Sequence, residues 1–166
     1  MATTRLEFVP YLQDATWTIF FTLGFYIRSH HAFALFLITI IVIDFTQIAA
    51  RGGHQDFYLA PSYLFILPAY FVLWFAGRFF AKSYSIDLKG IALFILTAST
   101  GIIMCHLISS GGYYWMSMNV IDLTLNEFIY RTLEYLPLAL KINFLYLSIF
   151  VLIHLILSRV FKTNQQ

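Results

Sequence analysis

Charge is scarce in this chain. Of 166 residues, Lys and Arg supply 10 and Asp and Glu supply 8, together 11%, where a water-soluble domain carries about 25%. That scarcity excludes a disordered chain, which is held open by charge, and a long coiled coil with charged flanks. Cysteine is scarcer still. Cys105 is alone in the sequence, so neither an intrachain disulfide nor a thiolate zinc site is available, and the redox compartment stays open. The net charge is only +2, and the basic residues form no stripe of the kind nucleic acid selects. The start, Met1-Ala2-Thr3-Thr4-Arg5-Leu6-Glu7, lacks a charged segment leading into an apolar one, so no cleaved signal peptide is expected. There is no Walker-type phosphate loop, and the chain itself is not expected to hydrolyse ATP.

What the sequence has is apolar and aromatic: 60% hydrophobic residues, 19% of the chain being Phe, Trp or Tyr. This composition points to an integral membrane protein, read as one domain over residues 1–166. Five stretches approach or reach the roughly 20 residues a helix needs to cross the hydrocarbon core: 15–27, 32–50, 57–77, 90–110 and 136–157. Asp14 is placed to cap the first. Pro61 and Pro68 interrupt the third. A β-barrel is excluded because its strands alternate polar and apolar residues, whereas Phe36-Leu37-Ile38-Thr39-Ile40-Ile41-Val42-Ile43 is apolar on nearly every side. The expected fold is an all-α polytopic bundle of five transmembrane helices, with a sixth, irregular crossing as the alternative. Residues 111–135 read as a loop, aromatic at first, leading into a short amphipathic helix at the interface. With five spans, Arg28, Arg78, Lys82, Lys89, Arg159 and Lys162 gather on one side, against Arg5, Arg51 and Arg131 on the other. The first side is therefore assigned to the cytoplasm.

Three clusters fall on the predicted outer side: Gln13, Asp14 and Trp17; the run from Arg51 through Gly52, Gly53, His54, Asp56, Phe57 and Tyr58 to Tyr63; and His106 through Ser109, Ser110, Tyr114 and Trp115. Rings interleaved with hydrogen-bonding groups suit a pocket for a large, flat, partly polar ligand, and they equally suit an interfacial aromatic belt. Asp44 lies inside a span, where a carboxylate must face protein or water. Gln47 and Arg51 share its helical face. His106 and His154 raise the alternative of a haem-carrying membrane anchor of a redox complex, but they fall near opposite membrane faces. His54, beside Asp56, is a candidate metal or ligand contact. Thr97, Gly101, Cys105 and Ser109 form a small-residue stripe that reads as close helix packing. No nucleophile arrangement stands out, so the chain is not read as an enzyme.

Taken in order, several motifs resemble one family. They are Gln13-Asp14-Ala15-Thr16-Trp17, then Phe20-Phe21 and Gly24-Phe25-Tyr26; Asp56-Phe57-Tyr58-Leu59-Ala60-Pro61-Ser62-Tyr63; Leu67-Pro68-Ala69-Tyr70 with Leu73-Trp74-Phe75-Ala76-Gly77-Arg78; and Ser109-Ser110-Gly111-Gly112-Tyr113-Tyr114-Trp115 with Tyr135-Leu136-Pro137. The set resembles the membrane S-components of energy-coupling-factor-type vitamin transporters, and within them the solitary bacterial cobalamin transporters. The resemblance implies a small helical bundle in the bacterial inner membrane that takes up cobalamin or a related corrinoid from the outer side. Gln13, Asp14 and Trp17 would line one wall; His54, Asp56, Phe57, Tyr58 and Tyr63 would cap the corrin; Ser109, Ser110, Tyr114 and Trp115 would face it from the opposite side. Tyr58 stands where the family has a cobalt-binding cysteine, which leaves His54 or Tyr58 as the candidate axial ligand. The family's Ala-x-x-x-Ala docking face for an ATP-driven module is missing, since no two alanines are four apart. The leading span of six-span family members has no counterpart either.

Overall fold

The computed structural model describes residues 14–27, 29–50, 61–116 and 124–163. Their regular structure is helical throughout: α1 (Thr16–Tyr26), α2 (His30–Ala50), a 3-10 turn (Pro61–Phe65), α3 (Ile66–Lys82), α4 (Leu88–Met116) and α5 (Leu125–Thr163). Three segments are long and apolar enough to cross a bilayer: Pro61–Lys82, Leu88–Met116 and Leu125–Arg159. The chain is a multi-pass membrane protein with an all-α bundle. Of the other two helices, α1 has 11 residues and the apolar part of α2 is the shorter His30–Thr46. Large apolar side chains face outward along the bundle, among them Leu35, Leu96, Leu152 and Ile156. Lipid tails solvate such a surface, which in water would drive aggregation.

The core lies between α1, α3 and α4. Phe20, Leu73, Trp74, Ile102 and Cys105 are at most 2% exposed. Glycine makes this possible. A Cβ at Gly24 would collide with the Trp74 carbonyl, and one at Gly77 with the Phe21 carbonyl. Thus α1 and α3 cross backbone to backbone, as small residues allow in membranes, where packing replaces the hydrophobic drive. On the next face of α3, a Cβ at Gly101 would sit 3.0 Å from Ala76 Cβ. Thr97, Gly101 and Cys105 of the small-residue stripe are buried against that neighbour, as the packing reading expects. Rings complete the core: Phe20 stacks on Tyr70 at 4.7 Å, and the Arg78 guanidinium lies 5.2 Å from the centre of Trp74.

The starts of α1, α3, α4 and α5 carry local signals. Asp14 takes the Thr16 N–H at 3.0 Å, satisfying one of the donors a first turn leaves unpaired. Asp87 takes the Gly90 N–H at 2.8 Å and the Ser85 hydroxyl at the start of α4. Thr124 receives the Glu127 N–H at 3.3 Å at the start of α5, and Thr124-x-x-Glu127 has the form of a capping box. Pro68 falls in the first turn of α3, where a missing N–H costs little.

Two expectations need correction. Residues 111–116, read as an aromatic loop, belong to α4, which runs 29 residues to Met116. Among the described residues, no separate interfacial helix precedes the last span either: α5 is one helix of 39 residues with Pro137 inside it. The amphipathic pattern of its first turns belongs to the same helix as the apolar span. A single proline removes one hydrogen bond, and the capping residues together with the Glu127–Arg131 ion pair at 2.7 Å hold the turns before it.

Candidate functional site

The helices alternate in direction, so the start of α1, the 3-10 turn, the end of α4 and the start of α5 share one end of the bundle. Contacts confirm it. The Trp17 ring lies 6.1 Å from the His106 ring. A Cβ at Gly112 would strike Phe65. The Tyr114 hydroxyl donates to the Thr124 carbonyl at 2.9 Å and accepts the Thr124 N–H at 3.0 Å.

A polar seam runs inward from this end between α1, α4 and α5. Thr18, 2% exposed, donates to Asn143 Oδ1 at 3.0 Å, and Asn143 donates back to the Ala139 carbonyl at 2.9 Å. His106 Nε2 lies 3.2 Å from the Thr132 carbonyl, and its Nδ1 lies 3.4 Å from Ser110 Oγ. A carbonyl only accepts, so the imidazole proton sits on Nε2 and Nδ1 faces the serine hydroxyl. The Thr132 hydroxyl, on the residue whose carbonyl meets His106, is buried without a protein hydrogen-bond partner, as is that of Ser62 in the 3-10 turn.

Of the residues expected to bind a ligand, Asp14, Trp17, Tyr63, Ser109, Ser110, Tyr114 and Trp115 are described, and all lie at this end. Gln13, His54, Asp56, Phe57 and Tyr58 lie outside the described residues. The described ones differ in what they offer. Trp17 and Ser110 border His106 and are half-buried. Ser109 donates to the His106 carbonyl of its own helix. Tyr114 is 3% exposed and its hydroxyl is engaged by Thr124. Trp115 is 46% exposed and packs edgewise on Tyr114. Tyr63 is buried and donates to Asp44 Oδ2 at 2.8 Å. The buried carboxylate of α2 thus meets a partner from the 3-10 turn; the Gln47 side chain and Arg51, its expected neighbours, lie outside the described residues.

The sequence reading missed Thr18, Thr132 and Asn143. Asn143 carried a usable signal, being an amide inside an apolar run, where polar groups are costly and seldom idle. Thr18 and Thr132 carried none, because threonine is common in membrane helices.

The opposite end has different chemistry. His154 of α5 is held between two phenols: Tyr26 hydroxyl to Nδ1 at 2.8 Å and Tyr84 hydroxyl to Nε2 at 3.0 Å. Beside it lies a cavity of about 200 Å³, lined by Phe25, Phe94, Ile91, Phe150 and Val151 among others. His106 meets Trp17 near the start of α1 and His154 meets Tyr26 at its end. Nine residues, about 13 Å of helix, separate those positions, and both nitrogens of His154 are engaged. The two imidazoles are not arranged to share one haem iron. Among the described residues, no group of three or more His, Cys, Asp or Glu side chains is placed to hold a metal ion. No protein-family model matches this chain, and no curated protein matches it.

Proposed function

We propose that this chain takes up cobalamin or a related corrinoid as an S-component-like transporter of the bacterial inner membrane, with five spans and the Asp14–Trp115 end facing outward. The observation that carries the reading is the convergence of three sequence-distant segments on one end of a membrane bundle. These are the α1 start, the Pro61–Phe65 turn and the α4 end, joined through the Trp17–His106 and Phe65–Gly112 contacts. A corrin is broad and apolar on its faces with amides around its rim. Rings such as Trp17 and Trp115 suit the faces, and the seam from Ser110 and His106 to Thr132 suits the rim. The family resemblance adds Gln13, Asp56, Phe57 and Tyr58 to the wall and cap, and His54 or Tyr58 as the candidate axial ligand to cobalt; these lie outside the described residues. Energy for release comes from an ATP-driven module or another source outside this chain.

Titration of cobalamin into the detergent-purified protein, followed by absorbance, tests the proposal. Saturable binding is expected, weakened about tenfold or more by Trp17→Ala, and retained by Tyr114→Phe, whose hydroxyl serves the fold. His54→Ala and Tyr58→Phe report on the axial position through the corrin spectrum. No binding by well-folded wild type, or Trp17→Ala binding as tightly as wild type, overturns the assignment. In cells, expression in a strain lacking inner-membrane cobalamin uptake is expected to restore growth on trace cobalamin.

A further inference from the structure

The cavity beside His154 lies at the end of the bundle away from the candidate corrinoid site and is independent of what that site binds. Its walls come from α1, α3, α4 and α5 and from the α3–α4 connection, through Phe25, Phe80, Phe94, Val151 and Ile86. Its polar lining is Tyr26 and Tyr84, both hydrogen-bonded to His154, with Ser85 next to Tyr84 in the chain, and Thr22, whose hydroxyl is taken up by carbonyls of its own helix. The cavity is partly open and measures about 200 Å³, room for a short stretch of hydrocarbon chain and too little for a corrin.

The surroundings say which hydrocarbon. The α5 span is the least buried of the three long spans, 11% against 33% for each of the others, and its lining residues Val151 and Leu155 are exposed, so the outer side of the cavity faces bilayer. Tyrosines and a serine at the polar edge match the depth at which a lipid's ester and phosphate region begins. The same end of the bundle carries Lys82 at the end of α3, Lys89 in the first turn of α4 and Arg159 near the end of α5. The nearby acid, Asp87, has its carboxylate engaged by Ser85 and Gly90. Among the described residues at this end, three cations, Lys82, Lys89 and Arg159, stand against this one acid.

We propose that this cavity holds one acyl chain of an anionic phospholipid from the surrounding bilayer, its phosphate set against Lys89 and Arg159. The lipid fills space between α5 and the α1–α3–α4 core that side chains leave empty, and fastens α5 to the rest.

Native mass spectrometry of the delipidated full chain in detergent, titrated with phosphatidylglycerol or phosphatidylcholine, tests this. One phosphatidylglycerol per chain is expected to bind ahead of any phosphatidylcholine. Lys89→Ala and Arg159→Ala are each expected to weaken phosphatidylglycerol about fivefold and leave phosphatidylcholine unchanged. Val151→Trp, which fills the cavity, is expected to abolish the site for both lipids. Equal binding of the two lipids, a Lys89→Ala variant like wild type, or a helical Val151→Trp variant that still takes up one lipid each overturns the proposal. Loss of cobalamin binding in the Trp17→Ala variant has no bearing on these results, so the two readings fail separately.

Discussion

The carbonyl oxygen of Trp74 lies where Gly24 would carry its Cβ, and the Phe21 carbonyl stands in the same relation to Gly77. The contact is reciprocal. Each glycine seats the backbone of the helix opposite, and Trp74, 1% exposed, fills the core beside the crossing. Gly24→Ala and Gly77→Ala are each expected to destabilise the protein by about 1–3 kcal/mol, because the obstructing atom is backbone and does not rotate away. Unfolding midpoints in a detergent titration measure it. Gly111→Ala is the control, since a Cβ there meets only Phe128 at 3.8 Å; its midpoint is expected to stay near that of wild type.

The Tyr63 hydroxyl donates to Asp44 across the gap between the 3-10 turn and α2. Tyr63→Phe keeps the ring and removes the donor, which leaves a buried carboxylate short of a partner. The expected cost is about 1–3 kcal/mol, read from the same titration. A double cycle with Asp44→Leu is expected to recover part of it, because the leucine no longer needs the hydroxyl.

Asp87 gives a pH dependence of known sign. The Ser85 hydroxyl and then the Gly90 N–H hold its carboxyl below the ordinary value of 3.8. A lowered folded-state pKa stabilises the fold above the unfolded value, and the contribution is lost as pH falls through the folded one. The thermal midpoint of wild type is therefore expected to fall on acidification below about pH 4. Asp87→Asn keeps a capping oxygen but does not titrate, so its midpoint is expected to change less over that range. Parallel curves for the two proteins would remove Asp87 from the account.

Tyr26, His154 and Tyr84 join α1, α5 and the α3–α4 connection through one imidazole. His154→Phe retains the ring packing against Phe25 and deletes both hydrogen bonds. The expected loss is about 1–3 kcal/mol for the pair. Tyr26→Phe made in the His154→Phe background is expected to cost little more, since its partner is already gone. Additive losses in that cycle would show that the two groups do not act together.

The all-helical fold was legible because composition and run length decide it. A chain with 11% charge and long unbroken apolar runs has to satisfy its backbone internally, and helices do that. Each of the five apolar stretches overlaps a helix, and three of those helices are long and apolar enough to span a bilayer. Boundaries were less legible. Gly111-Gly112-Tyr113-Tyr114-Trp115 carries a turn signal, yet it is helical. Gly112 is needed for the approach of Phe65, a contact between segments nearly fifty positions apart. Residues 125–135, read as a separate short helix, run on through Pro137 into the last span.

The sequence by itself determined that the protein is a helical membrane bundle and that Asp14 starts its first described helix. Those properties follow from local composition and capping chemistry. Only tertiary structure decided that Gly24 and Gly77 pass each other's helices, that Tyr114 serves Thr124, that Asp44 meets Tyr63 and that His106 meets Thr132. It also decided that a cavity opens beside His154. Pairings of this kind join residues from different helices, and no periodicity within one helix contains them.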